Sequence, residues 1–136
     1  MRFVFGGAYQ GKLDYVKETF GIKEEEIYNC TIAEEPQRDE ASLPVEIDFG
    51  KKVIVHLEAF IINCLRRGME AKDYLELHKE EWSECIFICT DISSGIVPYE
   101  AEQRAWREMT GRTMIYLGKE AEEVTRIFCG IPQRIK

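Results

Sequence analysis

The stretch Arg2–Phe20, RFVFGGAYQGKLDYVKETF, decides how the rest of the chain is read. Phe3, Val4 and Phe5 form a short apolar run of the kind that makes a buried strand. Gly6-Gly7-Ala8-Tyr9-Gln10-Gly11-Lys12 follows, and Leu13, Val16 and Phe20 then fall on one face of a helical pattern. Strand, glycine-bracketed loop, lysine and helix are the layout of a phosphate-binding loop, with Gly6, Gly11 and Lys12 giving the G-x-x-x-x-G-K part of its signature. The chemistry needs those residue types. Glycines let backbone N–H groups curl round an anion, while the helix N-terminus and an ammonium group add positive charge. Gly6, Gly7, Ala8, Tyr9, Gln10, Gly11, Lys12 and Leu13 are therefore the expected cradle for the phosphates of a nucleotide. The competing reading is a glycine-rich turn with a solvated lysine. At the next position, where a Ser or Thr hydroxyl normally binds Mg²⁺, stands Leu13, which has no oxygen.

Working outward, 136 residues suit a single domain over 1–136, long enough to bury about two-thirds of its unfolded surface. A net charge of -7 leaves no basic footprint for a phosphate backbone, so no nucleic-acid partner is expected. No apolar run reaches membrane-spanning length, and MRFVFGG lacks the order of a signal peptide. The expected location is the cytoplasm, with no membrane partner. Cys30, Cys64, Cys85, Cys89 and Cys129 form no C-x-x-C pair and are expected as thiols. Cys85 and Cys89, four apart in a strand-like run, share one face and read as core residues rather than zinc ligands.

Along the chain, Gly21 closes the first helix as a C-cap and Ile27–Thr31 predicts a second strand. Residues 32–51 are acidic, carry Pro36 and Pro44, and are expected to form a surface excursion of little periodicity. Lys52–Leu57 predicts a strand that is apolar on both faces, as inside a parallel sheet. Helices are expected over Glu58–Arg67 and Ala71–Trp82, and a strand over Cys85–Asp91. His78 reads as a packed or surface histidine. A loop at Ser93–Pro98 leads to a long helix from Tyr99 to about Ala121, with Ala101, Ala105, Met109, Tyr116 and Leu117 as inward positions. Gly111 in its middle suggests close packing or a bend. Val124–Cys129 is the last expected strand, followed by an extended tail over Gly130–Lys136. Strands alternating with helices imply an α/β fold with a mainly parallel sheet and helices on both faces.

Ligands of such folds bind at the carboxyl ends of the strands. Lys12, His56, Glu58 and Asp91 are expected at that rim. Asp91, closing an apolar run, stands where an acid holds Mg²⁺ or orients a hydroxyl; a turn or helix-capping aspartate is the alternative.

Two blocks carry a family resemblance. Gly95-Ile96-Val97-Pro98, Arg104-Ala-Trp-Arg107-Glu108, Gly111, Leu117, Ala121, Val124 and Gly130-Ile131-Pro132 resemble the adenosylcobinamide kinase / adenosylcobinamide-phosphate guanylyltransferase family of cobalamin synthesis. That family has a G-x-G-I-V-P loop, an R-x-F-R-D-x-x-G helix and a closing G-x-P segment. Phe5-Gly6-Gly7-Ala8 with Gly11-Lys12 is similar to its G-G-x-x-S-G-K-S loop. The resemblance implies a single-domain P-loop (RecA-like) fold and a propeller-like homotrimer. It also implies GTP or ATP with Mg²⁺ as cofactors, and adenosylcobinamide as second substrate. Asp91 stands where the family has the glutamate of N-E-V-G, and the catalytic residues are expected to be Lys12, on the phosphates, and Asp91, as metal ligand or base, with Glu58 in reserve.

The departures bear on activity. Leu13 replaces the hydroxyl ligand, Gln10 the serine before the glycine, and His56 stands near the aspartate of the family's D-C-L strand end. Met114 and Ile115 replace an N-Q pair. Between Thr31 and Lys52, where the family carries its guanylyl-accepting histidine, there is no histidine at all. A nucleotide-binding kinase without the guanylyl step is one expectation, a non-catalytic nucleotide- or corrinoid-binding relative is another, and a different small-molecule P-loop kinase is a third.

Overall fold

The computed structural model describes residues 1–32, 45–93 and 99–136. The Gly95–Pro98 loop and most of the expected excursion lie outside them. Six strands form one sheet in the order β2-β3-β4-β1-β5-β6: β1 Arg2–Gly6, β2 Ile27–Asn29, β3 Val53–Val55, β4 Ile86–Thr90, β5 Glu123–Phe128 and β6 Ile131–Arg134. The first five are parallel and β6 is antiparallel to β5. The helices are α1 Lys12–Phe20, α2 Leu57–Arg66, α3 Ala71–Leu77 and α4 Ala101–Glu120. The chain thus has the expected P-loop α/β architecture.

Both faces of the sheet are covered, which is why its central strands are apolar throughout. Val4, Val53, Val55, Ile86, Ile88 and Ile127 gather with Val16 of α1 on one side. Phe3, Ile54, Phe87, Cys89 and Val124 pack on the other with Phe60 and Ile61 of α2, Leu75 of α3 and Leu117 of α4. Cys85 and Cys89 share that second face. Right-handed crossovers account for the split. From β1 the chain crosses to β2 in one direction, and from β4 it crosses to β5 in the other, so α1 and α4 lie on opposite faces. The reversal falls between neighbours β1 and β4, where Gly6 pairs with Thr90. Such a switch point opens a crevice beyond the carboxyl ends of the two strands.

Four expectations are corrected. The end of the 32–51 segment is not a surface excursion: Val45, Ile47 and Phe49 are buried while Glu46 and Asp48 are exposed, a period-two pattern. The Ile47 amide donates to the Tyr74 hydroxyl at 3.2 Å, and Phe49 lies against the rings of Tyr74 and Phe87. Second, α3 stops at Leu77, and tight backbone turns carry the chain to Trp82, whose indole donates to the Leu75 carbonyl at 2.7 Å. Third, Ala101 is exposed, and a Cβ on Gly111 would meet nothing within 4 Å, so no close packing occurs there. Fourth, the C-terminal tail is an edge strand. Cys129 (φ 51) and Gly130 (φ 74) form a two-residue hairpin turn that reverses the chain, and Pro132 is tolerated because β6 has no outer neighbour.

Candidate functional site

The loop between β1 and α1 is shaped by two glycines. A Cβ on Gly6 would sit 2.3 Å from the Ile127 carbonyl oxygen, so only glycine lets β5 run this close to the end of β1. Gly11 takes φ 84 as the residue capping α1, a left-handed value that costs glycine nothing. Tyr9 also lies in the left-handed region, at φ 56, with its ring fully exposed. Among the described residues, the backbone N–H groups of Ala8 to Leu13 meet no protein acceptor. The Tyr15 amide is the first in α1 to find one, the Gly11 carbonyl at 3.0 Å. A run of unpartnered amides at a helix N-terminus is an anion site in its elementary form.

Lys12 is 9% exposed, and its Nζ donates to the Gly7 carbonyl at 2.6 Å. Burial pushes its pKa below the usual lysine value, while nearby Glu58 and Cys89 act in the opposite sense. An ammonium group held there, poorly solvated and with one carbonyl acceptor, favours a second anionic partner. Burial raises the Cys89 thiol well above the ordinary cysteine value, with Glu58 and Asp91 adding to the effect, so it stays protonated.

On the opposite rim, β3 ends at Val55 and His56 turns the chain into α2 with φ 58 and ψ 47. That left-handed conformation is uncommon for a residue with a side chain and clusters at functional sites. His56 Nδ1 lies 3.2 Å from Glu58 Oε1, and Glu58 Oε2 accepts the Thr90 N–H at 2.9 Å. The Glu58 side chain is only 12% exposed. Trp106 of α4 donates its indole N–H to the Glu58 carbonyl at 2.8 Å. Glu58 is thereby pinned between the end of β4 and α4.

Lys12, His56 and Glu58 line one cleft of about 560 Å³, together with Ala8, Tyr9, Thr90, Ile92 and Trp106. That volume lies in the range of small-ligand pockets. A smaller recess of about 190 Å³ follows Tyr9, Gln10, Gly11, Lys12 and Leu13 along the loop and meets Val55, His56 and Ile88. Asp91 is not brought into either. Its N–H donates to the Gly6 carbonyl at 2.8 Å, while its carboxylate accepts the backbone N–H and the hydroxyl of Ser93, a turn of the kind Asp commonly makes with its own chain. Arg107 donates to the Ser93 carbonyl and ties α4 to that turn. His78 packs on Phe49 and Tyr74 and meets Glu81.

Trp106, Thr90 and Ile92 are cleft residues that pattern reading did not single out. Trp106 stood in the Arg104–Glu108 block, but its role appears only where α4 crosses the start of α2. Nothing local to Thr90 signals that its amide holds a carboxylate.

The residues fit Mg²⁺ poorly. Leu13 offers no oxygen, Asp91 is engaged by Ser93, and Glu58 by Thr90 and His56. No group of three or more potential metal ligands gathers among the described residues.

The sequence model of the family CobU, cobinamide kinase / cobinamide phosphate guanyltransferase, matches residues 52–135, more than half of the chain. The chain belongs to this family, which ties it to cobalamin biosynthesis. No curated protein gives a significant match. The glycine loop lies outside the matched residues, so its reading rests on the geometry above. No helix among the described residues is long and apolar enough to cross a membrane.

Proposed function

We propose that the chain binds GTP or ATP through its triphosphate and transfers the γ-phosphoryl group to the hydroxyl of adenosylcobinamide or a related alcohol. The observation that carries this reading is the run of unpartnered amides from Ala8 to Leu13 at the start of α1, with the Lys12 ammonium resting on the Gly7 carbonyl beside them. Phosphate oxygens supply the acceptors those groups lack, and Lys12 moves from a neutral carbonyl to an anion. The larger cleft, with Trp106 and Ile92 on its wall, receives the alcohol. The alcohol oxygen bonds to the γ-phosphorus as the bond to the β,γ-bridging oxygen breaks, and the nucleoside diphosphate departs with that electron pair. The hydroxyl proton goes to the Glu58 carboxylate, the acid lining the same cleft as Lys12. Glu58 takes the place first expected for Asp91. No step passes through a metal ion, because the donor set does not fit one.

The guanylyl step is left out, since the chain's two histidines, His56 and His78, are both outside the segment where the resemblance requires an acceptor. By the same resemblance we propose a homotrimer, which light scattering would test. A second reading, a non-catalytic nucleotide-binding relative, is favoured by Leu13 and by the lack of a cluster of three potential metal ligands among the described residues. Thermal-shift titration with GTP and ATP, with and without Mg²⁺, separates the readings. A shift abolished in Lys12→Ala, with nucleoside diphosphate released only when the alcohol is present, supports the kinase. A shift without turnover leaves the second reading. No shift at millimolar nucleotide overturns both.

A further inference from the structure

We propose that Gln10 is a positioning residue that fastens the phosphate loop to the turn of the β5–β6 hairpin, so that the hairpin sets the loop's affinity for anions. The proposal rests on the nucleotide-binding reading above and adds to it the element that holds the loop in shape.

Two bonds meet at Gln10. Its side-chain Oε1 accepts the Cys129 N–H, and its backbone carbonyl accepts the Gly130 N–H at 3.0 Å. These are the two central residues of the hairpin turn. Both have positive φ, so both amides are turned out of the ladder. In an isolated hairpin such amides face water; here one residue of the loop accepts both. A Cβ built on Gly11 would lie 3.7 Å from the Gly130 Cα, and one on Gly7 3.5 Å from the Gln10 Cγ, both ordinary contact distances, so the turn and the Gln10 side chain sit directly against the loop. Serine at position 10 has too short a side chain to reach across in this way.

The physical consequence follows from preorganisation. A loop of glycines has many conformations, and ordering it on the ligand subtracts from affinity. Two bonds to a hairpin that is itself part of the sheet, through β5 paired to β1, remove part of that freedom before the anion arrives. Coupling between loop and hairpin is reciprocal: an anion that orders the loop must also steady the turn.

The test compares Gln10→Met, which keeps length without the acceptor, with Gln10→Glu, which keeps the acceptor oxygen. The first readout is amide hydrogen exchange at Cys129 and Gly130 in the ligand-free protein. At Cys129, whose acceptor is the side chain, exchange about tenfold faster in Gln10→Met than in the native chain, and restored in Gln10→Glu, is expected; equal rates at Cys129 in all three overturn the clamp. The second readout is affinity for GTP and for inorganic triphosphate. Gln10→Met is expected to bind both about tenfold more weakly, with an unfolding midpoint close to the native one. Unchanged affinity in Gln10→Met beside tight native binding overturns the control of affinity by the hairpin. Added triphosphate is also expected to slow exchange at Cys129 and Gly130, and a turn indifferent to saturating ligand counts against the proposal. If the native chain binds neither probe, the nucleotide reading fails and takes control of affinity with it, while the exchange rates decide the clamp on their own.

Discussion

The two sides of the cleft are built to different standards. On the β1 side, every feature an anion needs is in place: a glycine demanded by the approach of Ile127, a left-handed glycine before α1, unpartnered amides and a lysine buried among them. On the β3–β4 side, the acids are already spoken for. Asp91 closes on Ser93, and Glu58 holds Thr90 and His56. Phosphate capture and metal chemistry are separable in such a fold, and among the described residues the amides and lysine suited to an anion are in place while no group of three or more potential metal ligands gathers.

That contrast can be broken or sharpened. Gly6→Ala has the largest expected effect, since its methyl group would sit 2.3 Å from a backbone oxygen. A loss of about 3 kcal/mol in urea unfolding is expected. Gly7→Ala, whose methyl would meet only the Gln10 side chain at 3.5 Å, serves as the mild counterpart. Equal costs would show that the β1 side is not shaped by the approach of β5. On the other side, Glu58→Gln is expected to lower kcat for phosphoryl transfer roughly a hundredfold, while Asp91→Asn leaves it within a few-fold. The reverse ranking would return the role of proton acceptor to Asp91.

Lys12→Met is expected to weaken nucleotide binding by about thirtyfold in titration calorimetry. The same change should stabilise the ligand-free protein, and the pH dependence has a definite sign. The Lys12 pKa is lowered in the folded state, so between that value and the free-lysine value of 10.5 the unfolded chain binds more protons than the folded one. The penalty is complete below the folded pKa and fades as pH rises toward 10.5. The stability gap between Lys12→Met and the native chain should therefore close with rising pH. Subtracting the two proteins also removes the opposite trend of the buried thiols Cys30 and Cys64, each pushed up to about 12 by burial. A gap that widens would contradict the buried-cation account. The smallest effect is expected from Leu13→Ser, which restores an oxygen beside the loop: nucleotide affinity should become about fivefold tighter with Mg²⁺ than with EDTA, and no such preference is expected of the native chain.

Much of this was readable in the amino acids. The strand, loop and helix of Arg2–Phe20 are local in sequence, and glycines with one lysine announce them. The apolar runs at Val53–Val55 and Ile86–Thr90 gave buried parallel strands for the same reason. What escaped was non-local. The alternation of Val45, Ile47 and Phe49 was hidden behind prolines and acids that spoke for a surface segment. Strand β6 was missed because a Cys-Gly turn is a weaker hairpin signal than Asn-Gly, and Pro132 argued against a ladder. The setting of Glu58, held by the Thr90 amide with its own carbonyl taken by Trp106, comes from β4 and α4, partners that no spacing rule connects. Gln10 looked like a departure from a motif until its two acceptors met residues 129 and 130.

That last contact has a bearing on the order in which a cell completes the molecule. Synthesis delivers the glycine loop well ahead of its fastening, since Cys129 follows Gln10 by 119 residues. A nascent chain, or one clipped before Cys129, would carry the loop without its anchor. On the proposal above, the loop would gain its full anion affinity only once Cys129 and Gly130 had been made.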